Sequence, residues 1–253
     1  MTSLFRAIDA ELLKSKRTLM VALVFLAPLA LAFLELSIGF QYGKKMYQVG
    51  GDSWLTLIDH TAMMWVLLLL PLFVTLQMGL MGALEHNNKT WKQLYARPLP
   101  RWSIYFAKQI IGTGLIGLST LILGLMTVGV GLTGRYLLPE LGFDAPIPWK
   151  TLFQFMFYPY LASWLIISIH LFVSLYLSSF VAAMGVGIVA TVFGVVIYGS
   201  DFEQFDPWTI PGVIEGNLRN GDPFLQPLLI GILGGLIVAA VGCYLTTRRD
   251  VLQ

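Results

Sequence analysis

Six long apolar stretches set the terms on which this chain can fold. They run over residues 19–40, 63–84, 106–134, 152–177, 180–199 and 224–246. Each is about as long as the ~20 residues an α-helix needs to cross the ~30 Å hydrocarbon core of a bilayer. In that medium the backbone must satisfy its own polar groups, and an unbroken apolar run does so as a helix. The fourth and fifth stretches are separated only by Ser178 and Ser179. Together they are too long for one crossing and are expected to form a tight helical hairpin. The expected fold is therefore all-α and polytopic, one transmembrane domain over 1–253 with six transmembrane helices. Composition agrees: the chain is 57% hydrophobic and only 12% charged, against about 25% charged in an ordinary soluble domain. A disordered chain, a nucleic-acid-binding protein and a typical soluble enzyme are excluded on that ground.

The basic residues give an orientation. With the N-terminus inside, the inner segments hold Arg6, Lys14, Lys16, Arg17, Lys89, Lys92, Arg97, Arg101, Lys108, Arg248 and Arg249, eleven of the 16. The positive-inside rule then places both termini in the cytoplasm. Ala30-Leu31-Ala32 has the form of a signal-peptide cleavage site. Asp9 and Glu11 in the segment before it argue instead for a true first span. That segment, residues 1–18, is expected to be an interfacial helix. Leu4, Phe5, Ile8 and Leu12 form one face, and Arg6, Lys14 and Arg17 turn the other way toward lipid headgroups.

Small residues recur at fixed intervals inside the spans. In the third, Thr113, Thr120 and Thr127 interleave with Gly117, Gly124 and Gly131. In the sixth, Gly231, Gly235, Ala239 and Cys243 repeat every four residues, and the fifth has Ala183 and Gly187. Such stripes let membrane helices approach closely, either within the chain or between subunits. The outer loop between spans five and six carries Phe202, Phe205, Trp208, Ile210, Val213 and Ile214. That is too apolar for a solvated loop. It is expected to be a partly inserted segment or a loop folded over its own helix ends.

Catalytic signatures are absent from the sequence. There is no H-E-x-x-H, no G-x-S-x-G and no phosphate-binding G-x-x-x-x-G-K-[ST]. His60, His86 and His170 show no ligand spacing, so no metal site is expected. Cys243 is alone, and no intrachain disulfide can form. Glu35 is a carboxylate well inside the first span, where lipid exposure would cost a few kcal/mol. Either the span tilts or ends early and leaves Glu35 among headgroups near Gln41 and Lys44, or Glu35 lines the outer part of a translocation path.

The segment 85–105 between spans two and three is the most informative. Residues 87–95 can form a short helix with Trp91, Leu94 and Tyr95 on one face, stopped by Pro98 and Pro100. An exposed aromatic face on a short helix suits docking into a partner's groove, and it equally suits an interfacial anchor. Here the chain resembles the ABC-2 membrane subunits of ATP-binding-cassette exporters. The resemblance is carried by Glu85, Thr90, Trp91, Leu94, Pro98, Arg101 and Lys108. The run WKQLYARPLPRWSIYFAK is most similar to the permeases of the bacitracin-resistance and lantibiotic-immunity group.

The resemblance implies a permease in a bacterial cytoplasmic (inner) membrane, with 85–105 as its coupling loop. The coupling residues would be Glu85, Thr90, Trp91, Leu94, Tyr95, Pro98, Arg101 and Lys108. It implies a separate ATPase subunit carrying ATP and Mg, a second membrane subunit of the same or a related chain, and no cofactor on this chain. Export of an amphipathic or hydrophobic substrate is the leading expectation. The alternative is an ABC-2 module acting as scaffold or assembly motor for a cell-surface structure.

Overall fold

The computed structural model describes residues 2–16, 18–47, 52–87 and 99–248. Among the described residues all regular structure is helical. In chain order the helices are α1 (Thr2–Ser15), α2 (Leu19–Met46), α3 (Ser53–Met64), α4 (Leu70–Asn87), α5 (Arg101–Leu137), α6 (Trp149–Ala162), α7 (Trp164–Tyr176), α8 (Phe180–Ile197), α9 (Ile210–Asn220) and α10 (Leu225–Arg248). A π-helical turn at Trp65–Leu69 joins α3 to α4 without a break, and α6 and α7 form a bent pair. Counting α3–α4 and α6–α7 once each, six helices are long and apolar enough to cross a membrane. The protein is a multi-pass membrane protein. Both described chain ends lie at one end of the bundle, and the segments 138–148 and 198–224 lie at the other.

The buried face of α2 follows a helical period: Met20, Val24, Pro28, Leu31, Ala32 and Glu35. It packs along α5. The α3–α4 helix runs through the middle, with Trp65, Leu70, Val74, Met78 and Met81 in the main core beside Ile116, Leu123, Ile166 and Leu171.

The second crossing starts ten residues before the apolar stretch that begins at 63, at Ser53. Hydropathy falls there because of Asp59, His60 and Thr61, but the backbone stays helical because the polar groups find partners. Asp52 caps the helix by accepting a hydrogen bond from the Leu55 N–H at 3.1 Å. The Trp54 indole donates to the Ala145 carbonyl at 3.0 Å, and the Ser53 hydroxyl donates to that of Leu141.

The fourth crossing, one apolar run in the sequence, is bent. Pro159 brings no N–H to the helix, and at Ser163 the backbone tightens (φ −66°, ψ −9°) while its hydroxyl donates to the Tyr160 carbonyl at 2.6 Å. Helix α10 lies against this bend. A Cβ on Gly231 would stand 2.5 Å from both the Cα and the carbonyl oxygen of Ala162, and one on Gly235 would stand 2.8 Å from the Trp164 carbonyl carbon. After the turn at Ser178, Ser179 caps α8 by accepting from the Ala182 N–H at 3.3 Å.

Of the apolar residues in the 200–223 loop, Ile210, Val213 and Ile214 are buried on one face of α9, packed against the bundle. Phe202 and Phe205 remain 72% and 70% exposed. Gly221, at φ 76°, supplies the left-handed residue that ends α9 and turns the chain into α10. The outward faces of α8 and α10 are almost wholly apolar, with Val181, Val189, Val196, Leu233 and Ile237 all exposed. Such faces are stable only against hydrocarbon or another membrane helix.

Candidate functional site

At the end of the bundle that holds the termini, four charged side chains from three helices meet. Helix α1 turns Ala7, Glu11 and Ser15 inward onto α5, four residues apart along one face. Glu85 stands in the last turn of α4, and Lys108 projects from α5 about 10 Å along from its start. The Lys108 ammonium donates to Glu11 Oε2 at 2.5 Å and to Glu85 Oε1 at 2.7 Å. Lys14 donates to Glu11 Oε1 and to the same Glu85 oxygen, both at 2.7 Å. The Lys108 and Glu85 side chains are each 1% exposed.

Two anions and two cations cancel, which is what lets the group be buried at all. Glu85 sits at the negative end of its helix, an unfavourable place for a carboxylate, and the two ammonium groups offset that. Burial presses the Lys14 ammonium toward its neutral form; Glu11 and Glu85 more than reverse this, and its pKa stands above the ordinary lysine value. Lys14 does not face lipid headgroups as its place on the amphipathic helix suggested. The outward face of α1 carries Arg6 beside the exposed Phe5, Leu12 and Leu13.

The cluster matters because of what it brackets. Glu85 precedes the 88–98 segment and Lys108 follows it, so their ion pair closes the base of that loop. Arg101 fastens the same flank elsewhere: its guanidinium donates to the Thr247 carbonyl in the last turn of α10 at 2.9 Å. Of the residues singled out from the sequence, Glu85, Arg101 and Lys108 are thus gathered at one base. Thr90, Trp91, Leu94, Tyr95 and Pro98 lie outside the described residues. Glu11 and Lys14, which complete the cluster, were missed by the motif.

Glu35 is at the opposite end of the molecule and only 1% exposed. The His60 Nδ1–H donates to its two oxygens at 2.9 and 3.1 Å. The reading that left Glu35 among headgroups is corrected: its carboxylate is enclosed between α2 and α3. A lone carboxylate within a span needs a partner, and the polar stretch opening the next helix was the signal that could have named His60. Glu35→Gln keeps an acceptor for that imidazole, whereas Glu35→Ala strands it. Thermal unfolding in detergent should shift little for the first and fall by about 1–3 kcal/mol for the second.

The small-residue stripes face neighbouring helices of the same chain. Gly117 lies under Tyr160, whose hydroxyl donates to the Thr113 carbonyl at 3.2 Å. Gly124 meets Met156, and Gly131 lies flat against the Trp54 ring. Thr120 and Thr127 are buried and turn their hydroxyls back to the carbonyls of Ile116 and Leu123. Gly231 and Gly235 meet the α6–α7 bend described above.

A search of curated proteins finds no match. The family model described as ABC-2 family transporter protein matches residues 7–194, a span that takes in the charge cluster, the segment it brackets, the first four crossings and most of the fifth. The chain belongs to the ABC-2 family of transporter proteins, the permease components of ABC transporters whose ATP-binding subunit is a separate chain.

Proposed function

We propose that this permease, paired with a second membrane subunit of the same or a related chain, expels an amphipathic or hydrophobic substrate, an antimicrobial peptide or a lipid-like molecule. ATP and Mg are held and used on the partner ATPase. Both termini and the 85–105 loop face the cytoplasm of a bacterial inner membrane, a reading supported by the eleven basic residues gathered on that side. Residues 86–95 dock on the ATPase through Trp91, Leu94 and Tyr95.

The observation that carries this reading is the closed base of the loop. Glu85 and Lys108 tie its flanks to each other and to α1, and Arg101 ties one flank to α10. A displacement imposed on the loop by ATPase closure therefore cannot be absorbed at its root. It is passed to α1, α4, α5 and α10 together, as a rigid-body tilt between two states.

Trp91→Ala tests the docking. Loss of a buried aromatic anchor costs about 2–4 kcal/mol of association, so the ATPase should co-purify poorly or hydrolyse ATP without driving transport. Unchanged co-purification together with unchanged transport would overturn the assignment.

A further inference from the structure

At the end of the bundle far from the termini, two carboxyl groups share one guanidinium. Arg219 Nη1 lies 3.4 Å from Asp59 Oδ2, and its Nη2 lies 3.6 Å from Glu215 Oε2. The Glu215 side chain is 0% exposed, and neither of its oxygens accepts a hydrogen bond. Asp59 Oδ1 is likewise buried without a partner. A buried carboxylate that accepts no hydrogen bond is disfavoured against the neutral acid, and two facing carboxylates do not both ionise readily.

We propose that Glu215 and Asp59 form a proton-binding site, the protonated Glu215 carboxyl donating to Asp59, and that this shared proton holds α9 onto α3. With the proton the triad is one anion and one cation, electrically neutral. Without it, a net negative charge is left on the triad, with the fully buried Glu215 at its inner end and Asp59 and Arg219 partly exposed at its outer end.

The other titratable groups around α9 are engaged elsewhere. His60, next to Asp59, turns to Glu35. Tyr198, at the end of α8, donates to the Gly212 carbonyl at 3.3 Å. Glu203 accepts from the Gly199 N–H at 2.6 Å, and Asp206 accepts from the N–H groups of Trp208 and Thr209. On α6, Tyr158 packs on Phe224, Tyr160 reaches the Thr113 carbonyl and Lys150 is exposed. On α10, Cys243, Tyr244 and Arg248 lie in its last turns, at the opposite end of the bundle.

Burial pushes Glu215 up, Arg219 pulls it back and Asp59 pushes it up again, leaving its pKa at about 8 against an ordinary 4.5. The docked state therefore takes up a proton that an undocked α9 does not hold. Docking is strongest below about 4.5, weakens as pH rises toward about 8, and is constant above that. The site stands whatever substrate the permease carries.

The test uses the full-length protein in lipid vesicles, titrated two units either side of about 8. Infrared difference spectra should show a carboxylic-acid carbonyl band lost with a midpoint near 8. The band should be absent in Glu215→Gln and shifted to lower pH in Asp59→Asn, where Arg219 is left facing Glu215 alone. In a Cys243→Ala background, thiol labelling of Val213→Cys, normalised to the exposed Asn220→Cys, should rise several-fold across the same range. In Glu215→Gln, whose amide N–H replaces the proton at nearly constant volume, the normalised rate should stay low and flat. A band that survives Glu215→Gln, no acid band titrating near 8, or a pH-independent labelling ratio in the otherwise native protein would each overturn the proposal.

Discussion

Lys108→Met should lower the stability of the folded permease by about 3–5 kcal/mol, the loss expected when one member of a buried ionic group is removed and its partners are left in place. Methionine matches the length of the lysine stem, so the loss is one of charge rather than of packing. What remains is Glu11 and Glu85 against Lys14 alone, whose side chain is 30% exposed and cannot neutralise both. Thermal unfolding in detergent and the yield of monodisperse protein both report the effect.

The double variant Lys108→Met with Glu11→Gln is the informative partner. It removes the 2.5 Å pair whole and leaves Lys14 against Glu85 in balance. Much of the lost stability should return, because a buried ion pair replaced by neutral groups of similar volume is often close to neutral. If stability returns while ATP-driven transport does not, the cluster transmits force as well as holding the fold. An unchanged unfolding temperature in Lys108→Met would show that the four charges do not depend on one another.

The crossings were legible because a bilayer imposes length and apolarity that few other environments do. Of the apolar face expected on α1, Phe5 and Leu12 are exposed, while Ile8 packs against the main core. The expectation that Arg6, Lys14 and Arg17 all turn toward headgroups does not hold for Lys14, which pairs with Glu11 and Glu85. The inward face is instead the narrow one made by Ala7, Glu11 and Ser15. Small residues flanking a single carboxylate at a four-residue period are the signal that was present and unread. The start of α3 was hidden for a different reason. Hydropathy scores Asp59 and His60 as loop, yet their partners, Arg219 and Glu35, lie 160 and 25 residues away. No window on the sequence can see a polar residue made tolerable by a distant one. The bend in the fourth crossing, at Pro159 and Ser163, was not read from the apolar run over 152–177, and nothing local shows that α10 would use that bend as its seat.

That seat gives the second large effect. Gly231→Leu should displace α10 and destabilise the protein by about 1–3 kcal/mol or more, the range of an overpacked core site. The neighbours of a Cβ at this position are the Ala162 Cα and carbonyl oxygen, both backbone atoms. They cannot rotate out of the way as a side chain can, so the helix itself must move. For the same reason Ala162→Gly should fail to rescue the variant, since it removes a methyl group that is not the obstacle. Gly129, on the outward side of α5, has nothing within 4 Å of its Cβ position, and Gly129→Leu should be tolerated in lipid. The displacement should also be felt at the far end of α10, because Thr247 holds Arg101 and through it one flank of the 88–98 loop. Gly231→Leu is therefore expected to lower both the unfolding temperature and the ATPase–transport coupling, while Gly129→Leu changes neither. Equal behaviour of the two variants would mean that α10 is not seated on the bend in the way its glycines suggest.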